Sequence, residues 1–115
     1  MDVRVSPEKR EEYRQLSGGS DELLLSLIDK YLEHTPIHLE AAKKAFAEGD
    51  IRQLDFAIHT MKGSTLSLGI EPLGDFLTKL NQETKVGKTS SFPQAFEILE
   101  QGLQELRRWK NENFG

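Results

Sequence analysis

His59, Lys62 and Gly63 fall on one face when the segment from Ile51 to about Leu68 is wound as a helix at 100° per residue. Leu54, Ala57, Ile58, Met61, Thr65 and Leu68 gather on one side and form the stripe expected to pack inward. Arg52, Asp55, Phe56, His59, Lys62, Gly63 and Leu66 take the other side, with His59 near its centre. The periodicity therefore turns this histidine toward solvent, whereas a histidine chosen for packing would lie on the Met61 side.

The neighbours of His59 are informative. Gly63 is one turn further on, inside a helix, where glycine costs about 1 kcal/mol relative to alanine. Its presence clears space beside the imidazole. Lys62 shares the face three residues on, so its ammonium can approach an anion carried on the ring. Imidazole has a reference pKa of about 6.5, so a neutral form with a free nitrogen lone pair is available near neutral pH. Its outer nitrogen can attack phosphorus, and a nearby ammonium can offset the charge gained. Phe56 and Leu66 are apolar where water is expected, which suits a docking surface. Arg52 and Asp55 complete the candidate partner-binding face, with Asp55 expected to be solvated. Ser64 is expected to tilt inward as a small hydrogen-bonding or packing residue, and Gly69 to end the helix or permit a close approach. The chain has no phosphate-cradling glycine loop and no carboxylate cluster beside His59, so the metal ion and the transfer catalysis are expected from a partner.

The elements that must hold this face are helical. Ser6-Pro7-Glu8 begins a short helix that Gly18-Gly19 ends, and Ser20 or Asp21 can cap the next. That second helix carries Leu24, Leu27, Ile28, Tyr31 and Leu32. Thr35-Pro36 is read as a further helix start, leading through Ala42, Ala45 and Phe46 to Gly49, with Asp50 as N-cap of the His59 helix. A break at Gly69 to Pro72 precedes a helix with Leu73, Phe76, Leu77 and Leu80. After a loop from Val86 to Ser91, the last helix begins near Pro93 and carries Phe96, Ile98, Leu99, Leu103, Leu106 and Trp109. No stretch alternates with the period of two that marks a half-buried strand. The expectation is an all-α fold, an up-and-down antiparallel four-helix bundle with an additional short N-terminal helix, formed as one domain over residues 1–115.

Composition agrees with a folded soluble chain: 37% hydrophobic, 30% charged, and a net charge of -4 that gives no reason to expect nucleic acid or anionic lipid as partner. The charged segment from Met1 to Arg14 is not read as a signal peptide, and no apolar run is long enough to span a bilayer. The absence of cysteine permits a cytoplasmic address.

The run His59-Thr60-Met61-Lys62-Gly63-Ser64-Thr65-Leu66-Ser67-Leu68-Gly69 resembles the signature of histidine-containing phosphotransfer (HPt) domains, roughly H-x-x-K-G-S/A-S/A-x-x-x-G. Asp21-Glu22-Leu23-Leu24, Tyr31-Leu32 and Ala47-Glu48-Gly49-Asp50 extend the likeness over nearly the whole chain. The resemblance implies a phosphorelay carrier without its own kinase or ATP site. It would accept a phosphoryl group on His59 from a receiver aspartate and pass it to another. Receiver domains of response regulators, or a hybrid sensor histidine kinase, would be the partners, the receiver would supply Mg2+, and the carrier would be a monomer. Three positions depart from the usual pattern: Ile58 where alanine is frequent, Ser67 where asparagine is common, and Leu80-Asn81 where many members carry Leu-Glu.

Two other readings compete. A degenerate HPt adaptor would bind a receiver through the Phe56 and Leu66 surface without exchanging phosphate. A metal-holding bundle needs inward Glu-x-x-His pairs, which the chain lacks. His34 and His38 have a spacing that can bind metal on one helix face, but a helix start at Pro36 would keep them off a shared turn.

Overall fold

Ser6 starts the first helix as its sequence suggests. Its side chain accepts from Lys9 N–H at 3.2 Å, and Pro7 occupies the first turn. The computed structural model describes residues 1–114, among which five helices are found and no strand. They are α1 (Pro7–Leu16), α2 (Glu22–Glu48), α3 (Ile51–Ser67), α4 (Glu71–Lys85) and α5 (Phe92–Phe114).

Paired contacts fix the direction of each neighbour. Tyr31 of α2 meets Thr65 of α3, while the two helices join at Gly49-Asp50. Leu66 of α3 lies against Gly74 of α4, and Lys62 and Asp55 reach Asn81 further along it. Asp29 and Glu100 form ion pairs with Lys110 and Lys43 across α2 and α5. Each pair runs antiparallel, giving a four-helix bundle with α1 as the additional short helix. Leu24 and Ile28 of α2, Leu54, Ile58 and Met61 of α3, Leu73 and Leu77 of α4, and Leu106 of α5 are buried along its axis.

One element departs from the sequence reading. No helix begins at Thr35-Pro36; α2 runs unbroken for 27 residues with Pro36 inside it. An internal proline costs about 3 kcal/mol through a lost hydrogen bond and a ring clash. Ile28, Tyr31 and Leu39 form a continuous buried stripe across the proline, and each such side chain contributes about 1.5–3 kcal/mol on burial. Packing outweighs the local penalty, and α2 becomes the spine of a bundle 46 Å long.

The N-terminal segment closes the end of the bundle where α3 turns into α4. Val3 and Val5 are buried, Ser6 N–H donates to Gly69 O at 3.0 Å, and the Tyr13 hydroxyl donates to Ser67 O at 2.8 Å. Gly69 sits at φ +69°, the left-handed region that favours glycine. A Cβ there would also collide with Lys9 and come within 2.8 Å of Ser6 Oγ. Gly69 thus serves both as helix terminator and as the place where the N-terminal segment approaches.

Candidate functional site

The site is built on α3. Asp50 caps it, its side chain accepting from Gln53 N–H at 3.1 Å. Leu54, Ala57, Ile58, Met61 and Thr65 are buried, so the rotation of the helix is fixed by its apolar stripe. Tyr31 and Thr65 share a buried hydrogen bond of 2.7 Å that holds α2 and α3 in register. Burial raises the Tyr31 hydroxyl above its ordinary pKa, partly countered by its hydrogen bonding with Thr65 and Thr35.

With the stripe inward, His59 is exposed on the opposite face. It borders an open recess with Asp50, Arg52, Gln53, Asp55 and Phe56. Phe56 is 65% exposed, and the Thr60 hydroxyl donates to its carbonyl at 2.9 Å within the helix. Gly63 is exposed, and a Cβ placed on it would meet no atom within 4 Å. The space beside the imidazole therefore stays open toward solvent.

Lys62 is half-buried and bends toward α4, where its ammonium donates to Asn81 Oδ1 at 3.2 Å. The Asn81 amide donates in turn to Asp55 Oδ1 at 2.7 Å. Asn81 itself is 2% exposed. Two residues that flank His59 on α3 are thus joined through one buried amide on α4.

This corrects the expectation for Asp55. It is half-buried and hydrogen-bonded rather than freely solvated, because α4 brings an amide donor to it. Ser64 is also corrected: it is exposed, not inward, and its hydroxyl donates to the Met61 and Thr60 carbonyls at 3.2 and 3.3 Å. Leu66, assigned to the docking face, is 41% exposed while also covering Gly74. Arg52 is exposed beside His59 in the recess.

The reason given for setting His34 and His38 aside also falls. Because α2 is continuous, the two stand four apart on one helix and border a groove opposite Thr60 and Ser64. Among the described residues, no three His, Asp or Glu side chains gather as a metal site.

Asn81 went unassigned in the sequence, although a signal was present. It lies on the α4 stripe of Leu73, Leu77, Leu80 and Thr84, all of them buried, and an amide at such a position needs hydrogen-bond partners.

The model of one protein family, the Hpt domain, matches residues 26–109 of the chain. The chain belongs to the Hpt domain family. The match takes in α3 and α4 whole, together with most of α2 and α5. Hpt domains are phosphocarriers of two-component signalling, without kinase activity of their own, and they interact with receiver domains. A phosphotransfer role in such signalling follows for this chain, in keeping with its all-helical bundle. No curated protein and no solved structure matches it closely enough to be drawn on. Among the described residues of this Hpt domain, no helix is long and apolar enough to cross a membrane.

Proposed function

We propose that His59 is the phosphoryl acceptor of a phosphorelay, taking the group from a receiver aspartate and yielding it to another. The lone pair of the outer imidazole nitrogen attacks phosphorus in the aspartyl phosphate. A P–N bond forms, the P–O bond to the aspartate breaks, and the aspartate leaves as carboxylate. Reversal of the same step at a second receiver discharges the histidine. The observation that carries this reading is the exposed imidazole at the centre of the outward α3 face, with open space over Gly63.

Lys62 lies one turn from His59, about 5–6 Å away between Cβ atoms, a distance its side chain can bridge to a phosphoryl oxygen. Of its three donors one is engaged by Asn81, which leaves two for the incoming anion. Gly63 gives the receiver's acidic pocket, with the Mg2+ it brings, room to approach. Arg52, Phe56 and Leu66 form the surface on which the receiver rests, with Asp55 at its edge. The contact is transient, in keeping with a small and only partly apolar patch.

The test is transfer from a phosphorylated receiver domain. Label is expected to move to this protein, and His59→Gln is expected to stop it while the far-ultraviolet circular dichroism is unchanged. Tight receiver binding with no phosphohistidine would favour the adaptor reading instead.

A further inference from the structure

We propose that Asn81, oriented by Asp55, is the positioning residue that holds the Lys62 ammonium beside His59 with its charge intact. This deepens the proposed function and rests on it.

The geometry is specific about which way the amide faces. An asparagine side chain presents an oxygen at one end and an NH2 group at the other, and it can turn over if both ends find equal partners. Here the partners are unequal. Asp55 Oδ1 accepts only, at 2.7 Å from Nδ2, and Lys62 Nζ donates only, at 3.2 Å from Oδ1. A flipped amide would set oxygen against carboxylate and NH2 against ammonium. The carboxylate therefore fixes the amide, and the amide fixes the ammonium.

The chemical type of Asn81 matters as much as its place. A carboxylate at this position would have no N–H to donate to Asp55 and would be repelled by it, whereas the amide bonds Asp55 at one end and Lys62 at the other. A neutral amide holds the ammonium by one hydrogen bond and leaves its charge uncancelled at the contact. Asp55 supplies its negative charge one side chain further away, behind the amide. Burial of Asn81 gives the arrangement rigidity, because a buried amide that lost these partners would be left with unsatisfied polar groups.

The experiment follows phosphohistidine formation from phosphoramidate, a small donor that needs no docking surface. The proteins compared are the full chain, Lys62→Met, Asn81→Leu, Asp55→Ala and Asp55→Asn, and the double variant Lys62→Met/Asn81→Leu. Asn81→Leu and Lys62→Met are each expected to slow formation about tenfold, the scale of one charge-assisted hydrogen bond. The double variant is expected to be no slower than Lys62→Met alone, because Asn81 acts only through Lys62. A residue that merely supports the fold would add its own loss in the Lys62→Met background, and such additivity would overturn the proposal. Asp55→Ala reaches the same chain from its half-exposed end without touching the core, so a failure of Asn81→Leu to fold does not end the test. Asp55→Ala is expected to slow formation, and Asp55→Asn, which still offers the amide an acceptor, to recover most of that loss. If Asp55→Ala matches the unsubstituted protein, the proposal is wrong while the acceptor role of His59 stands. If the unsubstituted protein takes no label on His59 from phosphoramidate or from a receiver, the proposed function itself fails and takes this inference with it.

Discussion

The side chain of Leu66 in α3 covers the bare backbone of Gly74 in α4, and a Cβ on that glycine would come within 3.0 Å of Leu66 Cγ and run into its outer methyl. Two effects oppose each other at this contact. Alanine gains about 1 kcal/mol of helix propensity over glycine. The added methyl must displace Leu66, which is 41% exposed and has solvent to move into. Gly74→Ala is therefore expected to change the unfolding free energy by less than about 1 kcal/mol, while the Leu66 methyl resonances shift as the side chain swings outward. Urea denaturation and methyl NMR check both parts. A loss of more than about 2 kcal/mol would mean that Leu66 is pinned in place.

The two glycines of the motif should respond in opposite ways to the same substitution. At Gly69 an alanine must hold φ near +69° and meet Ser6 Oγ at 2.8 Å. The left-handed backbone contributes about 1–2 kcal/mol and the overpacking a similar amount, so Gly69→Ala is expected to lose at least about 2 kcal/mol. At Gly63 nothing lies within 4 Å and the backbone is helical, so Gly63→Ala is expected to gain up to about 1 kcal/mol. Its cost is functional, because the methyl occupies the space beside His59, and transfer from a receiver is expected to slow. Chemical denaturation of both variants, with a transfer assay on the second, separates the roles. A Gly63→Ala variant that is both more stable and equally fast would remove the steric argument.

The outward position of His59 could be read from spacing alone because Leu54, Ala57, Ile58, Met61 and Thr65 repeat at the helical period, and all five are buried. Ser6, Asp50 and Gly49 marked helix ends for a similarly local reason: each acts on backbone groups within a few residues. Pro36 misled because its penalty is local while the compensating burial of Tyr31 and Leu39 comes from other helices. The Asp55–Asn81–Lys62 chain was illegible for the same reason. Its members are separated by 26 and 19 residues, and only the antiparallel packing of α3 on α4 brings them together.

Tyr31 makes stability sensitive to alkali in a calculable direction. Burial raises its pKa in the folded protein above 10.0, against the opposing effect of its hydrogen bonds to Thr65 and Thr35. The folded state thus keeps the hydroxyl proton where the unfolded chain begins to release it. Stability from this group is intact below about pH 10. It falls as pH rises above that value, because the unfolded state then binds fewer protons, until the folded hydroxyl ionises too. Tyr31→Phe is expected to be less stable by about 1 kcal/mol at neutral pH, through loss of the 2.7 Å bond to Thr65. The gap between the two proteins is expected to narrow as pH rises past 10. Thermal unfolding of both between pH 7 and 11 tests the sign, and a gap that widens with pH would contradict it.

Phe56 offers a way to separate docking from chemistry. Its ring is 65% exposed beside the recess that His59 borders, so truncation removes little buried area. Phe56→Ala is accordingly expected to alter stability by no more than about 0.5 kcal/mol. An aromatic at the centre of an interface often contributes more than 1 kcal/mol to binding, equivalent to a factor of about ten. If the receiver rests on this face, the rate of receiver-driven transfer should fall about tenfold relative to the rate with phosphoramidate in the same variant. The ratio is the decisive quantity, since it cancels any change at the imidazole itself. An unchanged ratio would place the receiver's footprint away from Phe56, on the Leu66 side of His59 where α3 meets α4.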